Sequence, residues 1–203
     1  MEISVDSAEA FDEVVWLTYL GKHVVGDDRL APVTAQDVDE EFIEALQSCI
    51  RKLLAVAQLS QPDSPVLRYL SKNNANISRI DALQKIFPSS KILIVFRHPL
   101  AHISSLAKQH ERFLQEHAED PFSRKYMEWI GHYEFGANFK PIDFNGWLDE
   151  DGLPATVDRA FWLKYWNAAY TYALQRKTDN VLFIDFDRLL GNGARSLQAV
   201  SYT

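Results

Sequence analysis

The run Lys91-Ile-Leu-Ile-Val-Phe96, followed at once by Arg97-His98-Pro99, constrains this chain more than any other stretch. Branched apolar residues fill it, as in the buried strands of a parallel sheet. Pro99 suits the first turn of a helix, where its missing N–H would have no partner anyway. Arg97 is therefore expected at the carboxyl end of a central strand, beside a helix N-terminus. Ligands of open α/β sheets bind at that edge, and free N–H groups with the helix dipole favour an anion there.

The surrounding pattern alternates strands and helices. Residues 7–20 have apolar positions near helical spacing behind a Ser or Asp, which predicts a capped helix. The polar stretch GDDRLAPVT separates it from a long amphipathic helix over 37–59, ended by the turn-like QPDSP. A short strand is expected over 66–70, a helix over 77–87 stopped by Pro88, the strand over 91–96 and a helix from Pro99 to about 118. Residues 120–156 read as irregular and aromatic-rich; 157–176 predict a helix, and 181–186 a second buried-type strand. The expectation is an α/β fold, a parallel sheet flanked by helices, in a single domain over 1–203. Three strands make a small sheet for this length, so the sheet is expected to be incomplete.

The formal net charge of −7 argues against a nucleic-acid or anionic-membrane binder, which would carry a basic face. An anionic small ligand needs only local positive charge, for which Lys72, Arg79, Lys91 and Arg97 are candidates. The single cysteine, Cys49, excludes an internal disulfide framework and a thiolate metal cluster, and fits a reducing, cytoplasmic setting. No metal site is expected. There is neither a signal-peptide pattern nor an apolar run near the ~18 residues of a spanning helix. Nothing in the composition fixes an oligomeric state.

Residues 69–110 resemble the sulfotransferases that use 3′-phosphoadenosine 5′-phosphosulfate (PAPS), through their 3′-phosphate motif: an apolar strand, Arg-x-Pro, then a helix with a serine eight residues after the arginine. Here these are 92–96, Arg97-His98-Pro99 and Ser105. Lys72, at the expected end of the strand over 66–70, and the helix closing on Phe87-Pro88 are also similar to that family. So are the strand and turn VLFIDFDRLL, where Asp185-Phe186-Asp187 replaces a Tyr-Glu pair, and WIGHYEFG, which resembles an insertion in bacterial-type members. The resemblance implies a P-loop-like sulfotransferase fold and PAPS as cofactor. It implies that Arg97 and Ser105 bind the 3′-phosphate, with Lys72 and His98 lining the same site; Ser104 competes with Ser105. A guanidinium fork matches phosphate oxygens, and a serine hydroxyl adds a donor.

The family's second motif, a strand, a loop with Arg, Gly, Ser or Thr and a helix that hold the 5′-phosphosulfate, has no counterpart here. Gly191-Asn192-Gly193 lacks a lysine and reads as a turn. The expectation is a sequence lacking that first strand, loop and helix. On the acceptor side the candidate bases are His132 and Glu134, which would face the same way if GHYEFG were extended, and Glu13 on the first helix. His102, His110 and His117 share one long helix and are expected to be surface or partly buried residues. The implied reaction is sulfuryl transfer from PAPS to a hydroxyl or amine of a small-molecule, lipid or carbohydrate acceptor. The alternatives are a non-catalytic relative that binds adenosine 3′,5′-bisphosphate or a protein partner, and an unrelated nucleotide-binding α/β protein.

Overall fold

In the computed structural model the described residues are 12–60, 62, 68–148 and 152–189. Helices α1 (Asp12–Val24) and α2 (Glu40–Ser60) come first. Residues 7–11 of the expected first helix lie outside the described residues, and its end runs on to Val24. Asp37 does not start α2. Its Oδ2 accepts from both the N–H and the hydroxyl of Thr34, at 2.7 and 2.6 Å, which closes a turn. The N-cap role passes to Asp39, whose Oδ1 accepts from the Phe42 N–H at 2.8 Å.

The expected strand over 66–70 is not borne out where it can be seen. Residues 66 and 67 lie outside the described residues, while 68–70 form no strand and Leu70 is largely exposed. The expected helix over 77–87 divides into a 3-10 turn, Asn74–Ser78, and α3, Ile80–Ile86. Asn73 caps the turn by accepting from the Ala75 N–H at 2.9 Å.

Strand β1 (Ile92–Phe96) and helix α4 (Pro99–Glu119) match the sequence reading closely, with Pro99 in the first turn of α4. The segment 120–156 is not wholly irregular. Asp120 accepts from the Phe122 N–H at 2.9 Å and, with Pro121, starts α5 (Pro121–Trp129). None of the residues of α5 is buried, and Phe122, Tyr126 and Trp129 are exposed, so its aromatic spacing reports no core contact. Two 3-10 turns follow, Gly136–Asn138 and Phe144–Gly146. Asp158 caps α6 (Arg159–Gln175), and β2 (Val181–Asp185) completes the described elements.

Among the described residues the sheet has two strands, paired in parallel from Ile92↔Val181 to Phe96↔Asp185. The architecture is thus mixed α/β with a small parallel sheet and flanking helices. One face of the sheet is covered: Ile94 and Val181 pack on Ile80 of α3 and Ala173 of α6. On the other face Leu93 and Val95 are 37% and 48% exposed. A second core joins α1, α2 and α3 through Trp16, Phe42, Leu46 and Ile86. A third joins α4, α6 and the segment between them through Ile103, Phe139, Phe161 and Trp162. The in-register pairing ends both strands at one level, so Arg97 and Phe186, the residues after them, emerge side by side.

Candidate functional site

Arg97 stands where the sequence placed it. Its guanidinium lies 5.3 Å from the centroid of the Phe186 ring. Its Nε is sealed from solvent with no hydrogen-bond partner. Among the described residues no carboxylate pairs with this side chain. A partly buried guanidinium with no counter-charge is an unusual arrangement, because a buried polar group without a partner costs about 1–3 kcal/mol. It is the arrangement expected of a group that meets an anionic ligand.

The helix start beside it is also open. His98 is the N-cap of α4, and its side chain does not cap. Its backbone N–H donates to Asp187 Oδ2 at 3.4 Å, a long bond that ties the end of β2 to α4. Asp185 turns the chain there, accepting from the N–H groups of Asp187 and Arg188 at 2.9 and 3.2 Å. Ser104 and Ser105 make no hydrogen bond among the described residues, and Ser105 is the more exposed. At 100° per residue, positions 98, 102 and 105 share one face of α4, whereas 104 points elsewhere. Helix geometry thus sides with Ser105.

The floor of this region comes from α6. Tyr170 donates its hydroxyl to the Val95 carbonyl at 2.9 Å, and burial pushes its phenol up to about 12. Trp166 packs against Tyr170 at 4.6 Å between ring centroids and donates from Nε1 to His102 Nδ1 at 3.2 Å. His102 is held below the usual histidine range by burial and by the nearby Arg97 charge. Trp166, Tyr170 and Phe186 were not singled out as site residues from the sequence. For Trp166 and Tyr170 the recurrence of aromatics along α6 is the local signal, and it reads equally as core; Phe186 lies just after β2, outside that pattern.

Several other candidates are placed differently. Arg79 is not a surface charge and is not free for an anion. Its two terminal nitrogens meet the two oxygens of Glu13 at 2.7 Å each, beneath Trp16, whose ring centroid lies 4.5 Å away. Glu13, 6% exposed, also accepts from Asn73 Nδ2 at 2.8 Å. That locks it as a counter-ion and removes it as a candidate base. Lys91 reaches back to Asn180 Oδ1 at 3.0 Å, at the opposite edge of the sheet. Lys72 is exposed, and no contact ties it to the Arg97 group.

The GHYEFG segment is not extended. Gly131 and Gly136, with φ of +78° and +73°, bend it at both ends. His132 donates its backbone N–H to the Met127 carbonyl, and its ring is half-buried. Glu134 accepts from Asn74 Nδ2 at 3.3 Å, which joins this segment to the loop that carries Lys72. His110 and His117 are buried rather than superficial, at 8% and 5% exposure. Their Nδ1 atoms accept from the N–H groups of Gly136 and Ala137 at 3.2 and 3.1 Å, and burial lowers both pKa values. Gly136 is required there: a Cβ would lie 2.7 Å from His117 Nδ1. Among the described residues no group of three His, Cys, Asp or Glu side chains is placed to hold a metal ion. No described helix is long and apolar enough to cross a membrane.

Residues 9–144, two thirds of the chain, match the Sulfotransferase family. The chain belongs to that family. Comparison with curated proteins and with solved structures gave no match. The matched span contains Lys72, Arg97, Ser105, His132 and Glu134, whereas the α6 and β2 residues around Arg97 lie beyond it.

Proposed function

We propose that this sulfotransferase-family chain binds PAPS at the carboxyl edge of its sheet and serves sulfuryl transfer to a hydroxyl or amine acceptor. The observation that carries the reading is the partly buried Arg97 guanidinium with an orphaned Nε and no carboxylate partner. The residues present fit a phosphate monoester: a planar donor fork, an uncapped helix start and a free serine hydroxyl on the same helix face. Arg97 and Ser105 would hold the 3′-phosphate, and His98 would line it. Lys72 would add charge from the loop before α3. When bound, PAPS supplies the sulfuryl group and leaves as adenosine 3′,5′-bisphosphate. On the acceptor side, His132 or Glu134 would take the proton that the acceptor loses. The Asn74 amide orients the Glu134 carboxylate, while the His132 ring makes no hydrogen bond among the described residues. A small molecule, a lipid or a carbohydrate would serve as acceptor, and the charge balance disfavours nucleic acid.

Calorimetric titration with adenosine 3′,5′-bisphosphate tests the reading. Arg97→Ala is expected to weaken binding by about 1.5–3 kcal/mol, the value of a hydrogen bond to a charged group, with the unfolding midpoint unchanged. Equal affinity for the two proteins would remove Arg97 from the site. Binding of another nucleotide in place of the bisphosphate would favour an unrelated phosphate-reading role.

A further inference from the structure

We infer that His102 is a second side-chain ligand of the anion that Arg97 meets, donating from Nε2, and that Trp166 is the positioning residue that keeps it able to do so. The inference rests on reading Arg97 as a phosphate ligand and names a donor that the Arg-x-Pro and serine pattern does not contain.

Indole Nε1 can only donate, so the 3.2 Å bond from Trp166 fixes His102 Nδ1 as an acceptor. The imidazole proton must then sit on Nε2. That atom has no acceptor among the described residues and is not sealed from solvent, in contrast to His117 Nε2. The donor is therefore formed, oriented and unused. Tyr170 holds the other side of the ring, edge-on at 6.3 Å between centroids.

The placement matches that of the proposed ligands. Position 102 lies one turn beyond His98 and one turn before Ser105 on a shared face of α4. The Arg97 guanidinium is near enough to oppose protonation of the ring. The Nη atoms of Arg97, unlike its Nε, are not sealed, and neither has a partner among the described residues. The acidic groups at this end of the sheet are engaged elsewhere: Asp187 Oδ2 is within reach of the His98 N–H, and Asp185 accepts from the N–H groups of Asp187 and Arg188 and lies 3.6 Å from the Arg188 guanidinium. Arg97 at the end of β1, with His102 and Ser105 on the first two turns of α4, then makes a row of three donors without acceptors among the described residues. A neutral imidazole donates to a phosphate without first taking up a proton.

Two measurements test this separately from the reading on which it rests. Adenosine 3′,5′-bisphosphate and adenosine 5′-monophosphate are titrated into the wild-type chain, His102→Ala, His102→Gln and Trp166→Phe. His102→Ala is expected to weaken the bisphosphate about tenfold or more and to leave the monophosphate unchanged. His102→Gln, which offers an amide N–H near the Nε2 position, is expected to recover most of the loss. Trp166→Phe, which frees the tautomer, should fall between. Bisphosphate binding that is unaffected in His102→Ala would overturn the inference and leave the Arg97 reading standing. The second measurement needs no nucleotide: nitrogen-15 imidazole spectra of the wild-type chain with inorganic phosphate. The Nε2–H tautomer of His102 and a phosphate-dependent shift of its Nε2 signal, lost in Arg97→Ala, are expected. An Nδ1–H tautomer, or a signal that phosphate leaves unmoved, would overturn the proposal even if no adenosine nucleotide binds.

Discussion

Removing the carboxylate of Glu13 should damage this protein more than any other single-charge change among the described ion pairs. Arg79 is 2% exposed and Glu13 6%, and the pair is bidentate at 2.7 Å on both bonds. In Glu13→Ala the guanidinium stays buried under Trp16 with no counter-charge, which costs about 3–5 kcal/mol. Typical domains are stable by about 5–15 kcal/mol in all, so the variant should unfold at much lower urea. The loss extends to the loop 71–78, because Asn73 donates to Glu13 Oε2 at 2.8 Å while capping the turn at Ala75. Deleting both charges is a different perturbation. Glu13→Leu with Arg79→Met leaves no stranded ion, and apolar replacement of a buried pair is often close to neutral. Urea unfolding followed by tryptophan fluorescence, on the two single variants Glu13→Leu and Arg79→Met and on the double, gives the coupling energy. We expect the double variant to be more stable than either single variant, with a coupling of about 2 kcal/mol or more. Singles that each cost under about 1 kcal/mol, with losses that add in the double, would refute the claim that this ion pair is effectively buried. The same series separates structure from chemistry: Glu13→Gln should lower stability and leave the affinity for adenosine 3′,5′-bisphosphate within twofold when folded.

Acid should loosen the junction of α4 with the turn at 136–138. His110 and His117 are favoured neutral in the fold, so the unfolded chain binds more protons below about pH 6.5, and stability falls with pH by up to about 1.4 kcal/mol per pH unit for each. His117→Asn, which keeps an acceptor near Nδ1 but cannot titrate, should flatten part of that slope; an identical slope would show that His117 is not its source. Gly136→Ala should cost about 1–3 kcal/mol from its backbone conformation, and more from the 2.7 Å approach to His117, read as a drop in unfolding midpoint. The absorbance titration of the wild type minus that of Tyr170→Phe should show one phenol ionising at about 12, and a transition near the ordinary value of ~10 would mean that its hydroxyl is not buried.

The parts of this fold that could be read from the sequence are those set by neighbours along the chain. An apolar run ending at Arg-x-Pro located β1, the start of α4 and Arg97 together, because strand burial and the proline constraint act within a few residues. Capping failed only by two positions, at Asp37 and Asp39, where two acids compete and a threonine hydroxyl decides. Readings failed where a contact spans the chain. Glu13 and Arg79, read separately as a candidate base and a candidate charge for an anionic ligand, lie 66 positions apart and pair with each other. His110 and His117 sit at helical spacing that suits solvent, until the turn at Gly136 closes over them. Helix α5 hid for the opposite reason: its aromatic stripe faces outward, and periodicity cannot say which side is wet.

The candidate site repeats the division. Arg97 and Ser105 come from one strand–helix unit, so their places in the fold were legible; that they bind an anion is the proposal made above. The groups that shape the space around them, Trp166, Tyr170 and Phe186, arrive from α6 and β2 by way of the parallel pairing. That pairing is what makes the site more than a motif: ending both strands at one level brings the Phe186 ring to Arg97, and packing α6 on α4 gives His102 its partner. A local pattern can therefore locate Arg97 at the end of β1. Only the three-dimensional arrangement shows that Trp166 occupies His102 Nδ1 while His102 Nε2 has no acceptor among the described residues.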